Sequence, residues 1–239
     1  EQGGFAYLVT SATTVAVTGR ASGNTDTVIV IPDMVASNGT TYSVTSIGDQ
    51  AFYFNDLASL TIGNNVTTIG ENAFGFNALT SVTIGNSVAS IGDQAFYSNS
   101  LASLTIGNNV TTIGNGAFFN NNLASLTIPN SVTSIGEDAF RKNQLTSLTI
   151  PNSVTTIGSN AFKDNNLTEV TFMGNFGTFD LNMFTGNSNL TTITYDEDKS
   201  GWPVTFTPAG TGSVAVVPIP KPLPGLPIWL LYEAAQSQG

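Results

Sequence analysis

The chain is 239 residues long and carries sixteen acids against six lysines and arginines, a formal charge of −10 that repels nucleic acid phosphates and leaves too few cations for a phosphate-tracking groove. Histidine and cysteine are absent, which excludes imidazole general bases, Ser-His-Asp and Cys-His nucleophile systems and the usual zinc sites. Only 9% of residues are charged, so Ser, Thr, Asn and Gly dominate the polar positions; no cofactor, metal, catalytic residue or nucleic acid partner is expected, and no transmembrane segment.

In chain order, residues 1–43 read as an N-terminal β cap and an opening coil. Phe5 to Val9, Thr13 to Thr18 and Thr27 to Ile31 alternate as strands do, with Gly19 to Asn24 as a break. From Val44 to about Asn175 the sequence repeats every 22 residues without a gap. Ile47, Ile69, Ile91, Ile113, Ile135 and Ile157 fill one column, and Phe52, Phe74, Phe96, Phe118, Phe140 and Phe162 a second. Leu57, Leu79, Leu101, Leu123, Leu145 and Leu167 fill a third. Within one repeat, Ser59 to Ile62 alternates polar and apolar residues, Gly63 to Asn65 turns the chain, and Val66 to Ile69 is a second extended piece. A short helical or 3-10 turn is predicted around Glu71 to Phe76, after Gly70 breaks the strand.

A coil of 22 residues has too little apolar surface to fold alone, so neighbours must stack and close the columns into one core. A seventh copy keeps Phe176, Phe179 and Phe184 in register, then shifts Leu190, Ile193 and Tyr195 by one inserted residue, as a terminal coil should. The expectation is a β-rich solenoid of about seven to eight coils with β caps at both ends. Residues 44–195 form its body, and 196–217 a C-terminal cap built from Trp202 to Phe206 and Ser213 to Val217. Residues 218–239 are a Pro-rich apolar tail. In it Pro218, Pro220, Leu223 and Leu226 lead to Ile228, Trp229, Leu230, Leu231 and Tyr232. The tail docks either on its own solenoid or on a neighbouring subunit, and the second arrangement would give a head-to-tail filament.

Four further columns bear on function. Asn55, Asn77, Asn99, Asn121, Asn143, Asn165 and Asn187 recur without exception and suit a ladder of buried amides bonding loop backbone. Pairs such as Ser59/Thr61, Ser81/Thr83 and Ser147/Thr149 point outward as a hydroxyl lattice, which suits an exposed sheet or, as a minor alternative, an ice-binding face. The corner after the core Phe holds Tyr53, Phe54, Phe76, Tyr97 and Phe119 early and Arg141, Lys142 and Lys163 later. Its aromatic part suits a protein or glycan partner, or packing beneath the cap. Asp49, Glu71, Asp93 and Glu137 form an acidic edge too sparse for calcium.

The phrase Ile150-Pro151-Asn152-Ser153-Val154-Thr155-Thr156-Ile157-Gly158, followed by Ala161-Phe162, Asn165 and Leu167, resembles the BspA-like, Treponema pallidum-type leucine-rich repeats. The resemblance covers roughly residues 28 to 195, although many relatives carry Cys where this chain has the Asn column. It implies a right-handed leucine-rich-repeat solenoid, bacterial secretion or surface display, and binding roles such as adhesion, and it transfers no catalytic residue. Absence of cysteine fits an exported bacterial protein that needs no disulfides. Two readings stand: a surface scaffold for adhesion or protein interaction, and a structural subunit of an extracellular filament.

Overall fold

The structure, a computed structural model, describes residues 2–175, 177–180, 182–196, 198–201, 205–206 and 214–219. An antiparallel hairpin of β1 (Phe5–Val9) and β2 (Thr14–Arg20) leads into β3 (Val28–Val30), β4 (Met34–Ser37) and β5 (Thr40–Ile47). The coils follow with β6 (Ser59–Thr61), β7 (Thr68–Ile69), β8 (Ser81–Thr83), β9 (Ser90–Ile91), β10 (Ser103–Thr105) and β11 (Thr112–Ile113). Then come β12 (Ser134–Ile135), β13 (Ser147–Ile150), β14 (Thr156–Ile157), β15 (Glu169–Phe172), β16 (Thr178–Phe179) and β17 (Thr192–Asp196). Two strands, β18 (Thr205–Phe206) and β19 (Val214–Ile219), close the chain's described part.

Like residues stack on like. Thr68 pairs with Ser90, Ser90 with Thr112, Thr112 with Ser134 and Ser134 with Thr156, all parallel and 22 residues apart. This row is continuous from β2 through β5, β7, β9, β11, β12 and β14 to β16, and from β5 to β14 a buried, β-branched Ile beside an outward Thr or Ser suits a half-buried strand. The Ser-Leu-Thr row is broken instead into β3–β6, β8–β10 and β13–β15–β17–β19, and Ser125 to Thr127 forms no strand at all. The inserted residue of the last repeat appears as a spacing of 23 between Glu169 and its partner Thr192.

The turn predicted as helical is not a helix. In each coil two residues four apart take positive φ, Gln50 and Phe54, then Asn72 and Phe76, and onward to Asn160 and Asp164. A left-handed residue at each end prevents a continuous helical ladder. The segment is two β-turns, closed in the first full coil by Ala51 N–H to Gly48 and Tyr53 N–H to Gln50. The N–H groups between them reach the next coil: Phe52 to Ala73, Phe74 to Ala95, Phe96 to Ala117, Phe118 to Ala139 and Phe140 to Ala161, all at 2.8 Å. Donors sit on the earlier coil and acceptors on the later one throughout this row.

The core is columnar. Phe52, Phe74, Phe96, Phe118, Phe140, Phe162 and Phe184 are fully buried and stack with centroids 5.2 to 5.9 Å apart. Phe5 of the hairpin closes the column edge-on, 5.9 Å from Phe52. The coils approach so closely at the strand ends that a Cβ on Gly92 would stand 2.6 Å from the Gly70 carbonyl carbon, so glycine fills this position from Gly48 to Gly158 and gives way only in the last copy, at Asp180.

Two boundaries differ from those read in the sequence. Position 43/44 falls inside β5, which continues into the first Ile column. Pro218, placed in the tail, belongs with Ile219 to β19. The N–H of Ala215 bonds Thr191, so odd-numbered residues face β17 and the missing N–H of Pro218 falls on the outer side, where a strand tolerates it.

Candidate binding surface at the aromatic corner

Two adjacent columns leave the second turn of each coil. One reads Tyr53, Gly75, Tyr97, Phe119, Arg141 and Lys163; its neighbour reads Phe54, Phe76, Ser98, Asn120, Lys142 and Asp164. The coil rise sets the rings face to face. Phe54 and Phe76 stack at 4.5 Å and 10°, Tyr97 and Phe119 at 4.9 Å and 3°, and Phe76 joins the pairs at 5.0 Å from Tyr97. Tyr53 stands edge-on to both Phe54 and Phe76, at 4.6 and 5.6 Å. Gly75 makes room for it, since a Cβ there would lie 3.0 Å from the Tyr53 ring. The cap leaves two of these rings open, Phe54 at 63% and Phe76 at 36% exposed, while Tyr53, Tyr97 and Phe119 are half-buried.

The second column is left-handed in every coil, with φ of 52° at Phe54 and 53° at Phe76. Asn120, Asp164 and Gly186 suit that conformation; a phenylalanine there is an outlier. Cations end the aromatic run. The Arg141 guanidinium lies 5.5 Å and the Lys142 ammonium 5.7 Å from the Phe119 ring centre. Arg141 also bonds Asp138 at 3.3 Å and Asp164 at 3.2 Å. Partial burial works to lower its pKa, but the hydrogen bonds to Asp164 and Asp138 and their charges outweigh it, so the group is held above the ordinary arginine value.

Two depressions flank the rings. One of about 390 Å³ lies among Gln94, Tyr97, Asn115, Phe119, Asp138 and Arg141. Another of about 360 Å³ lies beside Phe54, among Arg20, Asn24, Asn55 and Asp56.

The asparagine column lies directly behind the corner. Asn121 donates Nδ2–H to Phe96 O of the preceding coil at 3.0 Å, and its Oδ1 accepts from Leu101 N–H at 3.0 Å. Asn77, Asn99, Asn143, Asn165 and Asn187 repeat these bonds with Phe52, Phe74, Phe118, Phe140 and Phe162 and with Leu57, Leu79, Leu123, Leu145 and Leu167. Asn55, in the first full coil, bonds Tyr53 O of its own coil instead, at 2.8 Å. From Asn77 to Asn187 both ends of each amide therefore hold backbone groups, and these side chains perform coil-to-coil closure.

A second set of backbone clasps has no counterpart in the sequence reading. The Oδ1 atoms of Asp49, Asp93 and Asn115 accept the N–H of Glu71, Asn115 and Glu137, each 22 residues on, at 2.7 to 2.8 Å. The signal available was that the column holds short Asp49, Asp93 and Asn115 beside the longer Glu71 and Glu137. Among the described residues no three potential metal ligands cluster, and no helix is long and apolar enough to cross a membrane.

The hydroxyls of Ser59, Thr61, Ser81, Thr83, Ser147 and Thr149 are exposed. Breaks in the Ser-Leu-Thr row prevent one continuous flat array, which does not favour ice binding. A shallow groove of about 450 Å³ lies near the break, along Leu126, Leu148, Pro151 and Met173. Of the assembly tail, Pro218 and Ile219 lie in β19, while Pro220, Leu223, Leu226, Ile228, Trp229, Leu230, Leu231 and Tyr232 lie outside the described residues.

A stack of 22-residue coils with a phenylalanine core, an asparagine ladder and no helix among the described residues defines a leucine-rich-repeat solenoid. Six copies of the BspA type leucine-rich-repeat region match residues 37–144 and 111–200, and the chain belongs to that family. Among solved structures it is similar to a leucine-rich-repeat protein of Treponema pallidum, at 22% identity and TM-score 0.49, covering 100% of this chain and 95% of that one. It is also similar to the pneumococcal vaccine antigen PcpA, at 16% identity and TM-score 0.50, covering 84% of this chain and 65% of that one. A leucine-rich-repeat protein of Bacteroides ovatus matches at 20% identity and TM-score 0.41, over 82% and 70% of the two chains. A search of curated proteins gave no match.

Proposed function

We propose that this chain is a non-enzymatic scaffold, secreted or displayed on a bacterial surface, that holds a protein partner along its aromatic corner. One observation carries the reading: Phe54 and Phe76 stack in the open in left-handed backbone, where asparagine or glycine would be cheaper and more soluble. Neither core packing nor solubility accounts for phenylalanine there. The leucine-rich-repeat family supplies the setting, since its members serve as interaction scaffolds.

The stacking favours protein over glycan. A pyranose needs an open ring face, and here the faces of Phe54 and Phe76, and of Tyr97 and Phe119, are turned on one another. What remains outward are ring edges, which carry the positive side of the ring quadrupole and suit carbonyl oxygens, methionine sulfur and the faces of a partner's aromatics. Arg141 and Lys142 extend this preference for electron-rich groups beyond Phe119.

The test is a panel of purified surface and matrix proteins beside a glycan array, probed with the chain and with a Phe54→Asn, Phe76→Asn variant. Asparagine keeps the left-handed turn. Protein binding that drops at least about tenfold in the variant, with unfolding unchanged, supports the corner as the interface. Protein binding indifferent to the variant, or binding of glycans alone, counts against it.

A further inference from the structure

The outward positions of the Ser-Leu-Thr row change character at the N-terminal end. They are Ser59 and Thr61 in β6, Ser81 and Thr83 in β8, Ser103 and Thr105 in β10, and Ser147 and Thr149 in β13. In β3 the residues aligned with Ser59 and Thr61 are Val28 and Val30, 61% and 58% exposed. Met34, Leu8 and Val9 are also exposed in this N-terminal part.

An apolar strand with an open edge invites pairing, and proteins normally blunt such edges with bulges, prolines, charges or covering strands. Two other terminal strands, β1 and β19, are blunted. β1 carries a register shift between Ala6 and Tyr7, and β19 is covered at Val214 and Ala215 by β18 and bears Pro218 on its outer side. Within Val28–Val30, β3 has no such device, and Pro32, at the next outward position, ends its open edge. Among the described residues it pairs only with β6. Thr27 O and Ile31 N–H bond toward β6, so by alternation Val28 and Val30 direct their N–H and C=O groups away from the coil.

We propose that β3 is the joint of a two-fold homodimer, in which the β3 strands of two copies pair antiparallel about Ile29. The sequence Val28-Ile29-Val30 reads the same in both directions, so each Val28 stands opposite a Val30 and the four outward N–H and C=O groups of each copy are all satisfied. The same register sets Asp26 opposite Pro32 and Asp33 opposite Thr25, so no carboxylates face each other across the joint. The four valines form one apolar cluster on the sheet surface. A self-complementary patch of this kind closes at two copies and does not propagate. The joint uses none of the corner's aromatic residues, and the dimer would present two such corners at once and raise avidity for a multivalent partner.

The chain has no cysteine, so Val28→Cys and Val30→Cys each introduce a single thiol. Hydrogen-bonded antiparallel neighbours lie about 5.5 Å apart at Cα, within disulfide reach. Mild oxidation should cross-link an equimolar mixture of the two variants far more than either variant alone. Sedimentation of the unmodified chain should show a dimer that does not grow over a hundredfold concentration range, and the exposed double change Val28→Lys, Val30→Lys should weaken it by about tenfold or more with the unfolding profile unchanged. A monomer at every concentration overturns the proposal. So does cross-linking of Val28→Cys with itself as efficiently as in the mixture, or growth beyond two copies.

Discussion

The molecule contains two aromatic stacks built by the same coil rise, one inside and one on the corner. Phe52 to Phe184 are fully buried with centroids 5.2 to 5.9 Å apart; Phe54 and Phe76 stand at 4.5 Å in the open. The inner stack is one face of a continuous apolar core, and its burial stabilises every neighbouring coil. The outer stack has the ring contact without the burial and sits in left-handed backbone. Equal geometry therefore does not mean equal worth: repetition makes rings stack, and only surroundings decide whether the stack serves the fold or is available to a partner.

The sharpest way to break the comparison is Phe118→Ala in the inner stack, expected to lower unfolding free energy by about 3–5 kcal/mol because the rigid columns on either side cannot close the cavity. Denaturant unfolding monitored by circular dichroism would measure it, and a loss no larger than that of an outer-ring change would erase the distinction. Next is Asn121→Ala, which leaves the buried Leu101 N–H unpaired and strips Phe96 O of one donor, for about 1–3 kcal/mol by the same assay. In the outer stack, Phe54→Asn removes ring contact worth about 0.5–1.5 kcal/mol and relieves a left-handed aromatic worth about 1–2 kcal/mol, so thermal stability should hold or rise slightly. A clear fall in melting temperature would mean that Phe54 belongs to the fold after all.

The smallest effect concerns Tyr7, half-buried beside Phe5. Burial raises its pKa above the ordinary 10.0, so the folded state favours the neutral phenol. That contribution is complete below pH 10 and is lost as pH rises through the folded pKa. Unfolding followed upward from neutral pH should therefore show a small alkaline decline that Tyr7→Phe abolishes.

The 22-residue period makes the columns visible, because identical neighbours must meet when coils stack. Phe, Ile and Leu at fixed spacing are enough to place the core, and a shared spacing is enough to align the asparagines. Direction is harder to read. Spacing does not say that each Asn amide reaches the preceding Phe carbonyl, or that Asp49 and Asp93 clasp the following coil. The helical expectation at Glu71 to Phe76 failed because left-handed residues there include Gln50, Phe54 and Phe76, types that do not advertise that conformation. Asn72, Gly116, Asp138 and Asn160 do advertise it, and reading the column across all coils rather than one would have shown the turn. The aromatic residues of the corner were visible in the sequence, but the exposure of Phe54 and Phe76 and the left-handed backbone that carries them depend on local packing that no period encodes.

The turn row gives the solenoid a direction of growth. In each coil from that of Phe52 to that of Phe140, at least three N–H groups wait for carbonyls that lie 21 residues further along the chain, as Phe52 waits for Ala73. A chain emerging N-terminus first always presents this comb of unmet donors at its newest completed coil, and the next segment to emerge carries the acceptors. Assembly of this kind works as a ratchet: each arriving coil satisfies its predecessor and exposes an identical comb of its own, so the template moves with the chain and never has to be found twice.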